Sequence, residues 1–126
     1  MTEPKEIIQC KCTTFRRTVE LHIWGDAEYY TSIGLDTIAE LTEWANWCVW
    51  FIEEHNCNLI WLADYDLDVL VHELVHTAEN MCNQCWVELW WEPMAFIVQE
   101  LLVKIVSKSE WKFKLNKRTA LFFNEE

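Results

Sequence analysis

The stretch that decides the fold is LADYDLDVLVHELVHTAEN, residues 62–80. It opens on Asp64, Asp66 and Asp68, and negative charge is favourable where a helix begins, because unpaired backbone N–H groups carry partial positive charge there. Leu67, Leu70, Val71, Leu74, Val75 and Ala78 follow at helical spacing and predict the apolar face of an amphipathic helix. Within it stand His72 and His76, with Glu73 one step after the first. Residues four apart share one face of a helix, so both imidazoles can reach a common point.

Upstream, Asn58–Leu62 reads as a short buried strand. Thr37 and Glu40 form a capping box just after Gly34, and Ile38, Leu41, Ala45, Cys48, Val49 and Ile52 fall on one helical face. A helix is therefore expected from Thr37 to about Glu54, with a turn at His55-Asn56. Ile7–Trp24 predicts two strands: Val19, Leu21 and Ile23 alternate with Glu20, His22 and Trp24, the period of a half-buried strand. Ala27–Leu35 shows no clear period. Downstream, Asn83–Trp91 reads as a connection or short strand. Pro93 suits a helix's first turn, and Met94, Ile97, Val98, Leu101, Leu102 and Ile105 give that helix a core stripe. Trp111, Phe113 and Leu115 alternate with Lys112 and Lys114, as an edge strand would. No repeat or linker interrupts the pattern, so residues 1–126 are expected to form a single α+β domain.

Composition excludes several classes. The 126 residues are 52% hydrophobic and 25% charged, too apolar for a disordered chain. Two Gly and two Pro exclude collagen-like and low-complexity sequence. No apolar run approaches the roughly 18 residues of a membrane span. The opening MTEPKEII lacks the basic-then-apolar pattern of a secretory signal, so a cytoplasmic location with reduced thiols is expected.

Lys and Arg number 10 against 21 Asp and Glu, for a net charge of −11. No Lys or Arg occurs between Arg17 and Lys104, and six of the basic residues crowd into Lys104–Arg118. Such a field repels nucleic-acid phosphates and attracts metal ions and basic peptide or protein segments. The basic C-terminal stretch, with Trp111 and Phe113 interleaved, reads as a solvated face.

HExxH spacing on a helix is the arrangement for a catalytic zinc ion (Zn2+): two imidazoles ligate, a third anionic ligand completes the protein's share, and one position stays open for water. His72 and His76 are the candidate ligands. Glu73, one step round, is the candidate general base for a metal-activated water. Glu92, opening the next helix, is the preferred third ligand, with Glu88, Glu79 and Glu100 as alternatives. Two imidazoles and a carboxylate also suit other divalent ions.

HELVH followed by Glu92-Pro93-Met94-Ala95-Phe96, after a strand pair and a helix, resembles the small zincin-like metallopeptidases encoded by bacteriophages, minimal relatives of the gluzincin fold. The motif resemblance covers Asp64–Leu102. It implies a minimal zincin-like domain: a small N-terminal antiparallel sheet, with the active-site helix packed on two further helices. It further implies His72, His76 and Glu92 as zinc ligands, Glu73 as base, a peptide or protein substrate, and action in the cytoplasm of a bacterial host. Phe96 stands where the family often has Tyr, and the acid that thermolysin-like enzymes carry four residues after the ligand glutamate is absent. An oxyanion-stabilising group would have to come from elsewhere, with Tyr65, His22 and Tyr30 as candidates.

Cys10-x-Cys12 and Cys82-x-x-Cys85 could together make a four-thiolate zinc site, or serve as core residues like Cys48 and Cys57. Nine Trp is a high count. Trp44, Trp47 and Trp50 would wind round one helix, and Trp86, Trp90 and Trp91 precede Glu92, as core packing or as an exposed aromatic surface. The rival to a hydrolase is an acidic binding or inhibitor protein that blocks a host nucleic-acid-binding protein, with any zinc structural.

Overall fold

A computed structural model describes residues 1–44, 47–52, 57–85, 91–115 and 117, with the backbone alone described at 47–50 and 91. The first strand, β1 (Glu6–Cys12), turns back into β2 (Arg17–Ile23) through residues 13–16, where Arg16 takes a positive φ of 53°. β2 is the pivot of the sheet, because its two faces carry different chemistry. Val19, Leu21 and Ile23 are fully buried on one side, while Thr18, Glu20 and His22 point to the other.

A short helix α1 (Ala27–Ser32) follows, capped by Asp26, whose carboxylate accepts the Tyr29 N–H at 2.8 Å. Gly34, at φ +82°, provides the left-handed turn into α2 (Asp36–Trp44). The chain then forms β3 (Trp47–Ile52) and β4 (Cys57–Leu62). This corrects the expectation of one helix reaching Glu54. The helix stops at Trp44, and Trp47–Ile52 pairs antiparallel with β4. The run WCVWFI is β-branched and aromatic, and an all-apolar run fits a buried strand as well as a helix face.

The sheet is four-stranded and mixed, in the order β1-β2-β4-β3, with the central pair β2–β4 parallel. The antiparallel N-terminal sheet expected from the resemblance is thus only one half of it. All of β4 is buried, because helices cover both faces. On one face, Val19, Leu21, Ile23, Ile60 and Leu62 pack against α3 (Leu67–Gln84) and α4 (Trp91–Lys108). On the other, Leu59 and Trp61 pack with Tyr30, Ile38 and Ala39 of α1 and α2. The HExxH helix α3 therefore packs on one further helix, α4, and on the sheet, while α1 and α2 lie across the opposite face. The architecture is α+β, and among the described residues no helix is long and apolar enough to cross a membrane.

Leu70, Leu74 and Ala78 form the buried stripe of α3, as predicted, and Met81 extends it, but Leu67 is half-buried and Val71 and Val75 are exposed. They lie about 100° round the helix from Leu70 and Leu74, beyond the sheet's cover. The stripe of α4 is buried at Ile97, Leu101 and Ile105. The predicted C-terminal edge strand reduces to one parallel bridge, Asp66 with Lys114, where Lys114 donates to the Tyr65 carbonyl and receives Leu67 N–H. Glu110 and Trp111, both at positive φ, bend the chain into this clip. Two of the basic residues bind the fold together: Lys104 donates to the Lys11 carbonyl at 2.7 Å, and Lys108 donates to the Gln9 carbonyl. These carbonyls belong to edge strand β1, so α4 covers an edge that would otherwise invite pairing.

Candidate functional site

His72 and His76 stand one turn apart on the solvent side of α3, both exposed, their rings edge to face with centroids 5.0 Å apart. The spacing has a simple reading. A ring nitrogen lies about 1.2 Å from the imidazole centroid and zinc about 2.0–2.1 Å beyond it, so two imidazoles at a tetrahedral angle on one ion have centroids about 5.2 Å apart. The 5.0 Å seen is close to that value and is also an ordinary edge-to-face ring contact. Glu73 lies about 100° round the helix and turns inward, with 4% of its surface exposed. Burial pushes its carboxyl above the ordinary range, and the two neighbouring imidazoles pull it partly back.

Glu92 is exposed in the first turn of α4. His76 precedes the end of α3 by eight residues, about 12 Å of helix at 1.5 Å per residue. Among the described residues, no group of three or more His, Cys, Asp or Glu comes together to hold a metal. The structure thus brings His72 and His76 together and does not add Glu92 to them. Of the alternatives, Glu88 lies outside the described residues, and Glu79 is half-buried on α3 itself. Glu100 is engaged elsewhere, accepting the Thr13 N–H and the Lys104 ammonium.

The candidate oxyanion groups are also placed. The Tyr65 hydroxyl donates to Glu6, and burial together with that carboxylate raises its pKa. His22 and Tyr30 sit across the sheet from α3. The four-thiolate site does not form among the described residues: Cys10, Cys12 and Cys82 are core residues, Cys85 is half-buried, and burial raises the first three thiols. The tryptophans expected round one helix divide as well, since Trp47 and Trp50 lie on β3. Trp44 is exposed at the end of α2, Trp61 is buried and donates to the Gly25 carbonyl, and Trp86 and Trp90 lie outside the described residues.

A second constellation gave no sequence signal beyond polar residues alternating along β2. His22, 2% exposed, bonds Glu20 through Nε2 at 2.6 Å and the Tyr30 hydroxyl through Nδ1 at 2.8 Å. Period-2 alternation placed Glu20 and His22 on the face away from the core, and α1 then buries that face. No protein-family model, curated protein or solved structure matches this chain.

Proposed function

We propose that this protein is a zinc-dependent hydrolase of peptide bonds, its metal held by His72 and His76 and its proton transfers carried by Glu73. The observation that carries the reading is the 5.0 Å separation of two solvent-facing imidazoles on one turn of α3, beside an inward-turned carboxylate. Glu92 enters as third ligand on the sequence spacing alone: an exposed carboxylate in the first turn of the helix that packs on α3.

A divalent ion bound there would acidify a ligating water and polarise a carbonyl oxygen. With such an ion bound, Glu73 would be the residue to take up a proton at its carboxylate and to give it to the leaving amine. Its partial desolvation favours that role, because a carboxyl held above its ordinary range is a stronger base. The net charge of −11 draws a cationic substrate segment to the site. The described cysteines are all free thiols, in keeping with action in the reducing cytoplasm of a bacterial host.

The test combines metal analysis with cleavage of an unstructured protein carrying basic segments. We expect one zinc per chain in the wild type, its loss in His76→Ala, weakened retention in Glu92→Gln, and zinc without hydrolysis in Glu73→Gln. Wild-type protein that binds no zinc, or hydrolysis that survives Glu73→Gln, overturns the reading. A biological effect that persists in Glu73→Gln would point instead to an acidic binding protein.

A further inference from the structure

We propose that the end of the molecule formed by β1, the C-terminal half of α4 and the segment after it docks on the surface of an anionic lipid bilayer. The charge of the chain is sorted along the sequence. Residues 1–17 and 104–118 hold all ten Lys and Arg against three Asp and Glu, while residues 18–103 hold sixteen Asp and Glu and no Lys or Arg. The fold then brings the two basic segments side by side. Lys104 donates to the Lys11 carbonyl, Lys108 donates to the Gln9 carbonyl, and Lys112 stands 3.3 Å from Glu6, so residues 104–112 run antiparallel beside residues 6–11. One pole of the protein is therefore cationic, and the body behind it is acidic.

Apolar side chains project from the same pole. The turn after α4 has two successive left-handed residues, Glu110 at φ 58° and Trp111 at φ 62°, a conformation that a bulky residue rarely adopts. It leaves Trp111 72% exposed, and Leu115 is 68% exposed, while Phe113 between them is buried. Lys112, Lys114 and Lys117, interleaved with them, are exposed, with Glu6 and the Tyr65 ring beside Lys112. Phe113 packs edge-on against Tyr65, and the Lys114 backbone is bonded to Tyr65 and Leu67. The segment is thus pinned from within, and its outer side carries the indole, the leucine and the lysines.

This combination fits lipid headgroups better than other polyanions. An indole settles at headgroup level, with its apolar body toward the acyl chains. An aliphatic side chain beside it gains by entering the same layer, whereas a nucleic-acid base would stack on Trp111 and leave Leu115 in water. Lysines at the surface are drawn to anionic headgroups over about one Debye length, about 8 Å at physiological salt. The acidic body is repelled by the same surface, and this fixes the approach, pole toward the bilayer. Trp44 is also exposed, but it ends the helix that carries Asp36, Glu40 and Glu43, which an anionic surface repels. The docking pole is independent of the histidine pair, so it stands or falls apart from the hydrolase reading.

The test is vesicle flotation of the full chain. Binding is expected with vesicles of phosphatidylglycerol and phosphatidylcholine in equal parts, and not with phosphatidylcholine alone. It should be lost at about 1 M salt, where the Debye length is about 3 Å. Trp111→Ala with Leu115→Ser, both at exposed positions, should lower the vesicle partition coefficient about tenfold or more. Lys114→Gln with Lys117→Gln should lower it by about tenfold or more as well. That pair leaves the backbone bonds of Lys114 in place, so it remains informative should the first variant unfold. Thr31→Glu with Thr37→Glu changes the net charge by the same amount at exposed sites of α1 and α2 and should leave the partition unaltered. No binding to the anionic vesicles, equal binding to the uncharged ones, an unaltered partition in the lysine variant, or an equal loss in the threonine variant overturns the proposal. Oligothymidylate bound at this pole more tightly than the vesicles would assign it to nucleic acid and overturn the proposal too.

Discussion

Glu100, in the middle of α4, accepts the backbone N–H of Thr13 at 3.0 and 3.1 Å through its two oxygens and so ties the helix to the β1–β2 turn. Lys104, one turn on, adds a bond at 2.7 Å. Desolvation pushes this carboxyl upward, but the bonds from Lys104 and Thr13 outweigh it and bring the pKa down to about 2. A folded-state pKa below the unfolded one gives stability that is present above the ordinary value and lost as pH falls through the folded value. Urea midpoints of the wild type should therefore drop between pH 4.5 and about 2. Glu100→Gln should flatten that drop and cost about 1–2 kcal/mol at neutral pH.

The two lysines over β1 give a second expectation. Lys104→Met with Lys108→Met keeps the aliphatic stems and removes the donors to the Lys11 and Gln9 carbonyls. The double variant should associate with rising concentration, seen by light scattering. Lys112→Met, which loses contact with Glu6 rather than with an edge carbonyl, should stay as the wild type. Equal behaviour of the two would remove the edge-cover account.

Glu73 should trade stability against its proposed role. Its carboxyl is raised by burial, so the folded metal-free chain becomes less stable as pH rises through and above the ordinary carboxylate range. Glu73→Gln removes the buried charge and should raise the metal-free melting temperature at neutral pH by about 2–4 °C while abolishing hydrolysis. A lowered melting temperature would show that the carboxylate is stabilising.

The buried relay can be weighed by a double-mutant cycle. His22→Phe leaves the Tyr30 hydroxyl without its 2.8 Å partner and should cost about 2–3 kcal/mol in urea unfolding. Tyr30→Phe should then cost less in the His22→Phe background than alone, with a coupling of about 1 kcal/mol. Strict additivity would show that the two side chains act separately.

Much of this architecture is visible in local pattern. Val19, Leu21 and Ile23 show their period directly, and the stripes of α3 and α4 follow from Leu70, Leu74, Ile97, Leu101 and Ile105. Cys48–Ile52 misleads because an uninterrupted apolar run satisfies both periods, and only pairing with β4 decides between them. Val71 and Val75 mislead because apolar character does not report how far a neighbouring layer extends. His72, Glu73 and His76 are recognisable since one helical turn relates them. Glu20, His22 and Tyr30 meet only after α1 folds over the sheet, and Glu92 is separated from the histidines by a distance that no spacing rule supplies.

The parallel pairing at the centre of the sheet also governs how the chain can assemble. Ile23 ends β2 and Cys57 begins β4, 34 positions later, with two helices and an edge strand between them. During synthesis the N-terminal hairpin must wait, with one flank unsatisfied, until that intervening chain has emerged. Closing so long a segment is entropically slow, so joining β2 to β4 is the step expected to set the refolding rate, and fragments ending before residue 57 should be the species most in need of chaperones.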